Sequence, residues 1–481
     1  MLETLLVAAI AVGIVLVVRP GVGLGVLIAV TLLWPEYVRV PMGVVQMSAP
    51  RFVAMALVIR HLGRWSQLKA HPADWLVLAA YFLSVVAVLA EGANTRLVNS
   101  TIGRFLDTAL IYAAARLCIA TYEDVKGLKW PLVLTAVGVG SLACIESVTK
   151  GFVFERYYFG VGNADVSIGE GRGGVGQTRW GMMRAQVSTA HPIYFGVACT
   201  ILVGFSLAMR RFLSPALWWS LLSLAVGAVF FCLSSGPWTA AFLLVALLPF
   251  ARWSWLVKPA LGALVLLCIA LELATERHFY YLICYIGLSG DTAWYRVRLL
   301  EVAFLYLPDY WLFGYGDRSW EHWGLKIDGR FFIDCVNNYI YLAAMYGIFT
   351  MLAYLGAKVA VVVSIVRGWK RMDRDRRWTV FALTATVLAV SIAENSVSIF
   401  GPALIMNAML LGATASAARW ALAVPTAATV AAGASPHATA AGVVHVHGRR
   451  NRPELRNAEP RGGPLRPALD GGAGDEGVAR P

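Results

Sequence analysis

The sequence predicts an all-α polytopic membrane protein with about 12 to 13 transmembrane helices and two long loops on one side. Three observations carry that prediction. Of 481 residues, 58% are hydrophobic and only 14% charged, with a mean hydropathy of +0.65, against roughly 25% charged in soluble domains. A soluble globular chain is excluded. Apolar stretches of about 17 to 25 residues recur along the chain, each long enough to cross a ~30 Å hydrocarbon core as a helix. Basic residues, finally, cluster in short connections at alternate span ends, which gives the chain two sides. The net charge of +13 is thereby partly topogenic, and nucleic acid is not an expected partner.

Apolar segments run over 2–18, 21–35, 43–60, 75–91, 103–120, 129–148, 192–209, 216–233, 238–251, 258–274, 338–366, 378–393 and 402–424. Arg51 interrupts the third. The first carries Glu3 in front and Arg19 behind, the reverse of a signal peptide's basic leader, and is expected to be a retained span. Five basic clusters mark the cytoplasmic connections: Arg60, Arg64 and Lys69; Arg116, Lys126 and Lys129; Arg210 and Arg211; Arg252 and Lys258; and the run 367–377. The connections 149–190 and 274–337 then face outward, and the aromatic-rich second one should fold onto the membrane surface. Residues 1–424 form the membrane domain. The tail 425–481, with 7 of the 20 prolines, is expected to be a disordered cytoplasmic extension.

The outer loops hold nine arginines and two lysines, where topology alone would keep cations out. Arginine's fixed fork suits phosphate and carboxylate, so an anionic ligand is the natural partner, with ion pairing to loop acids the competing explanation. The glycine-rich 171–178 stretch lacks the lysine and preceding strand of a nucleotide loop. More informative is 179–196, where Arg179 and Arg184 precede His191-Pro192 and a new span: a helix N-terminus beside an arginine is an anion-binding corner. Candidate proton acceptors are His191, His322, Asp317 and Asp334. No Cys or His spacing suggests a metal, and no cofactor is expected. Cys284 and Cys335, in the outer compartment, are a conditional disulfide pair.

Three stretches in order resemble the O-antigen ligase and O-antigen polymerase superfamily. These are integral membrane glycosyltransferases acting on lipid-pyrophosphate-linked sugars at the periplasmic face of the bacterial inner membrane. The stretches are Arg184 to Gly196; Trp294 to Gly316, with Arg296, an amphipathic helix and Gly314-Tyr315-Gly316; and Val336 to Gly347. The resemblance covers about residues 1 to 424 and implies a GT-C-like architecture. It also implies that Arg184 and Arg296 hold the donor pyrophosphate, and that Asn337 stands where ligases place a histidine. Arg179, His191, Arg298, Arg318 and Asn338 are the accompanying substrate-binding candidates, Arg298 being the rival to Arg296. On a helix those two point about 200° apart.

The chemistry needs no metal, because a polyprenyl pyrophosphate is already a good leaving group and oriented arginines can neutralise its developing charge. The resemblance implies a polyprenyl-pyrophosphate-linked oligosaccharide donor, a glycan acceptor, the lipid bilayer and, for a polymerase, a chain-length regulator. Polymerisation of O-antigen or exopolysaccharide repeat units is the expected activity. Ligation to a lipid A core or protein is the alternative within the superfamily. A flippase or transporter of the same lipid-linked sugar is the alternative outside it, and the expected absence of paired broken helices weighs against transport.

Overall fold

A computed structural model describes residues 1–422 apart from 44, 93, 94, 156, 158–177, 254, 255, 275–280, 282–289, 317, 319 and 330–332. The glycine-rich stretch up to residue 177, Arg156, Arg172, Arg277, Cys284, Asp317, Arg330 and the 425–481 tail lie outside the described residues.

The described chain is almost wholly helical. It opens with α1 (Leu2–Val17) and α2 (Pro20–Leu33), then a short antiparallel hairpin, β1 (Val40–Met42) with β2 (Val45–Met47), pairing Val40 with Met47. There follow α3 (Ala49–His61), α4 (Pro72–Ala90), α5 (Thr95–Asp107), α6 (Ala109–Cys118), α7 (Tyr122–Lys126) and α8 (Lys129–Thr149). After a two-residue hairpin, β3 (Thr178–Arg179) and β4 (Met182–Met183), come α9 (Pro192–Ala208), α10 (Pro215–Phe231), α11 (Ser235–Arg252) and α12 (Val257–Ala274). The second outer segment holds α13 (Gly290–Leu305), α14 (Leu307–Tyr310) and α15 (His322–Ile327). The chain then returns through α16 (Asn338–Tyr346), α17 (Ile348–Gly368), α18 (Arg374–Ala393) and α19 (Gly401–Leu422).

Among the described residues seven helices are long and apolar enough to cross a membrane, and four shorter apolar helices have 10–17 residues. This is a polytopic all-α membrane protein, and three of the predicted apolar segments are interrupted. The 103–120 segment breaks at Thr108, whose hydroxyl donates to the Arg104 carbonyl at 2.6 Å. The 338–366 segment breaks at Gly347, with φ of +85°. The third apolar segment begins as the hairpin, and its helix starts only at Ala49. At ~1.5 Å per residue, the 10-residue α6 reaches only about half way across the hydrocarbon.

Helices α9 and α19 are the centre: nearly every residue of each is buried. Gly204 lets α18 approach α9, since a β-carbon there would overlap Thr386. The two ends of the bundle differ sharply. At one end the Arg60 guanidinium donates to the Val15 carbonyl, Arg64 bridges to Asp124 at 2.8 Å, and Arg116 donates to the Lys69 carbonyl. Arg210 lies over Trp378 and Arg376 over Tyr122. These contacts draw four of the predicted cytoplasmic clusters together.

The other end holds the described parts of the two long connections that the sequence predicts to face outward. Helices α13 to α15 and α16 share a small apolar core of Leu299, Val302, Tyr310, Tyr315, Trp323 and Ala344. Trp323 is fully buried between Tyr306, Tyr310 and Trp320. Several aromatics of this segment thus close its own core.

Candidate functional site

Two of the three motif stretches dock on each other through backbone. Gly314 and Gly347 both have left-handed φ, +78° and +85°. A β-carbon at Gly314 would run into the Met345–Tyr346 backbone, and one at Gly347 into the Leu312 carbonyl. That close approach lets the Tyr315 amide donate to the Ala344 carbonyl and the Ile348 amide to the Trp311 carbonyl, at 2.5 and 2.8 Å. Only glycine fits such strand-like contact without a side chain in the way.

The third stretch is pinned by a buried acid. Glu146, fully buried near the end of α8, accepts from the backbone amides of Val153, Gln186 and Val187 at 2.9 to 3.0 Å. Ser147 donates to the Met183 carbonyl and the Ala185 amide to the Phe231 carbonyl. Arg184 is thereby held, 8% exposed, with Nε toward the Cys232 carbonyl at 3.5 Å; Arg179 donates to the next carbonyl, Leu233, at 2.8 Å. Both arginines therefore sit on the carbonyl end of α10, whose dipole favours cations. Burial, then the charge of Arg179, pull the Arg184 guanidinium down to about 10.

His191 is the N-cap of α9. Its Nδ1 accepts the Ile193 amide at 3.1 Å, and burial, helped by Arg184, holds the ring down at about 4. It is neutral at physiological pH, and the ring nitrogen that could take a proton is occupied. From His191 an aromatic series leads inward to Tyr194, then Phe400, then Tyr341, with centroids 5.0 to 5.8 Å apart. Arg104, from the broken end of α5, lies 5.6 Å over both Tyr341 and Tyr346.

Arg296, on α13, interacts electrostatically with Asp334, which in turn acts on Tyr194 of this series. Its Nε is buried and has no hydrogen-bond partner among the described residues. Burial lowers the Arg296 guanidinium and raises the Asp334 carboxyl, and each partly offsets the shift in the other. Arg298 differs: its side chain is 59% exposed and pairs with Glu301 at 3.3 Å. Arg318 is spent on Glu91, at 2.8 Å, and on the Gly314 carbonyl. His322 stacks edge-on against Tyr306 within the outer core.

Asn337 and Asn338 are framework residues in this arrangement. Asn337 Oδ1 accepts the Tyr339 and Ile340 amides as the N-cap of α16, and its Nδ2 donates to the Asn395 carbonyl. Asn338 is fully buried and donates to Glu394 at 3.4 Å. Its capping geometry explains why an asparagine suits position 337. Cys335 is a free thiol donating to the Asn337 carbonyl, so the conditional disulfide is not formed at that residue.

Sequence reading missed Glu36. It follows Trp34-Pro35 at the end of α2 and is 8% exposed; its backbone carbonyl takes Arg39 Nε at 3.2 Å, while its carboxylate accepts no hydrogen bond among the described residues. Burial pushes its carboxyl up to about 7, against the pull of Arg39. Gly401, at φ +53°, approaches so closely that a β-carbon would overlap the Glu36 carboxylate. Nearby, Arg51 clamps Asp107 with Nε and Nη2 at 2.8 and 2.6 Å, joining α3 to the end of α5. The one visible signal was an acid directly after an apolar span.

Among the described residues no group of three or more His, Cys, Asp or Glu side chains is placed to hold a metal ion. No protein-family model matches the chain, and no curated protein matches it.

Proposed function

We propose that this membrane protein is a GT-C-like glycosyltransferase at the periplasmic face of the bacterial inner membrane. It polymerises polyprenyl-pyrophosphate-linked oligosaccharide units into an O-antigen or exopolysaccharide. The observation that carries the reading is the pair of desolvated arginines, Arg184 beside His191 and Arg296 beside Asp334, joined through Tyr194, the second with a buried Nε that has no partner among the described residues. Guanidinium groups deprived of water bind a pyrophosphate more strongly than exposed ones. In the reaction the acceptor hydroxyl oxygen forms a bond to the donor's anomeric carbon as the carbon–oxygen bond to pyrophosphate breaks. The two arginines take the departing charge, and Glu36, balanced near neutrality, takes the hydroxyl proton. Asn337 in place of a ligase histidine favours polymerisation over transfer to a lipid A core or protein.

Transport of the same lipid is the second reading, favoured by the breaks at Thr108 and Gly347 and by the buried Lys358–Glu394 pair, 2.6 Å apart, where α17 meets the end of α18. Purified protein in liposomes, supplied only with lipid-linked repeat units, separates them. Longer lipid-linked chains support the polymerase; translocation with no new product overturns it.

A further inference from the structure

At the opposite, basic end a cavity of about 610 Å³ is lined by Arg210, Arg211, Arg252, Arg374, Arg377 and Trp378. These residues come from three places: the turn after α9, the end of α11, and the first turn of α18. Topology requires basic residues at this end, but not their convergence on one space. Among the described residues only Arg211 of the five meets an acid, Asp375 at 3.4 Å, both groups being substantially exposed. Arg377 donates Nη2 to the Lys370 carbonyl, yet its Nε is buried and has no partner among the described residues. Arg210 is fixed in place by stacking on Trp378 and Trp218, 4.5 and 5.5 Å from the ring centroids. The N-terminus of α18, opening at Arg374, adds its own positive end.

Convergent cations cost free energy unless an anion joins them. All five are arginine, the side chain whose fork matches phosphate oxygens. Leu248 and Ala251 supply an apolar wall on α11, a helix whose Phe242 and Val245 are exposed on the surface available to lipid. We infer that this cavity is a phosphate-binding site, independent of the outer cluster, that takes either an anionic lipid headgroup or a free phosphate group.

The test uses the full chain in phosphatidylcholine nanodiscs, with or without phosphatidylglycerol, and native mass spectrometry after detergent release. Wild type retains phosphatidylglycerol, and Arg252→Gln with Arg374→Gln weakens retention by about tenfold or more, the scale of a lost hydrogen bond to a charged group. Arg19→Gln with Arg367→Gln, two exposed arginines outside the cavity, leaves retention unchanged. Because the glutamine variants could unfold, Arg252→Lys with Arg374→Lys keeps the charge and should still weaken binding by removing the fork. In the second arm, inorganic phosphate is titrated into phosphatidylcholine nanodiscs while the melting midpoint is followed. A rise abolished by the same variants supports the site and assigns it to a free phosphate. Neither retention nor a rise, or either one insensitive to all the cavity variants, overturns the site.

Discussion

Replacing Glu36 with glutamine tests the least expected feature of the outer cluster, a carboxyl held at about 7 where an exposed glutamate sits at 4.5. Between those values the folded chain keeps a proton that the unfolded chain has released. Wild-type stability therefore falls as pH rises from 4.5 to 7 and is level above. A separation of about 2.5 pH units, at ~1.36 kcal/mol each, amounts to about 3 kcal/mol. Glutamine has no proton to lose, so Glu36→Gln should gain about that much relative to wild type across the same window. Unfolding followed by tryptophan fluorescence in detergent measures it. Parallel curves for the two proteins would show that Glu36 is ionised throughout, and the desolvation argument would fail. In a polymerisation assay the same variant should lose roughly 10²- to 10⁴-fold in rate, the contribution of a positioned base. Its residual activity should no longer rise through pH 7.

Arg184→Lys and Arg296→Lys should each cost about 1.5 to 3 kcal/mol of transition-state stabilisation, roughly ten- to a hundredfold in polymer formed, while exposed Arg298→Lys stays near wild type. Gly401→Ala forces a methyl into the Glu36 carboxylate at a left-handed φ, and should lower thermal stability by about 1 to 3 kcal/mol. Lys358→Met strands the fully buried Glu394 without its cation, so a loss of about 3 to 5 kcal/mol is expected, partly restored by adding Glu394→Gln. Sidedness is read by cysteine labelling in intact cells: a membrane-impermeant maleimide should modify Leu325→Cys but not Lys370→Cys, both exposed positions at opposite ends. Labelling at 370 alone would put the outer cluster in the wrong compartment.

The membrane class and most helix positions were legible because length and apolarity decide whether a helix spans, and both are local properties. The two breaks were not, for opposite reasons. Gly347 stood in plain view, but its left-handed turn is dictated by a segment thirty-odd residues away that must pass within backbone distance. Thr108 interrupts an apolar run whose amphipathic first half, α5, is tied down by Arg51 on α3. Sequence spacing separated Arg296 from Arg298 by helical geometry, and the structure gives them the opposite environments that geometry requires. It could not separate a catalytic asparagine from a capping one, since both want the same residue before a helix. Glu36 showed only as an acid after an apolar span, because burial, not residue type, makes a carboxyl unusual.

The two polar systems near the outer end are linked. Glu394 receives Lys358 Nζ at 2.6 Å, the Tyr354 hydroxyl at 2.9 Å, Asn407 at 3.2 Å and Asn338 at 3.4 Å, and its backbone carbonyl takes the Asn338 amide. A buried ion pair contributes little net stability, but donors from α16, α17 and α19 meeting on one carboxylate at the end of α18 leave few ways to pack those helices. What it fixes is the start of α16, hence Asn337 and Cys335. The Ser398 hydroxyl donates to the Cys335 carbonyl, in the same connection that carries Phe400 and Gly401 to Glu36. The buried Lys358–Glu394 pair thus bears on the position of the connection that packs against Glu36. Its disturbance should reach the Glu36 carboxyl without touching it.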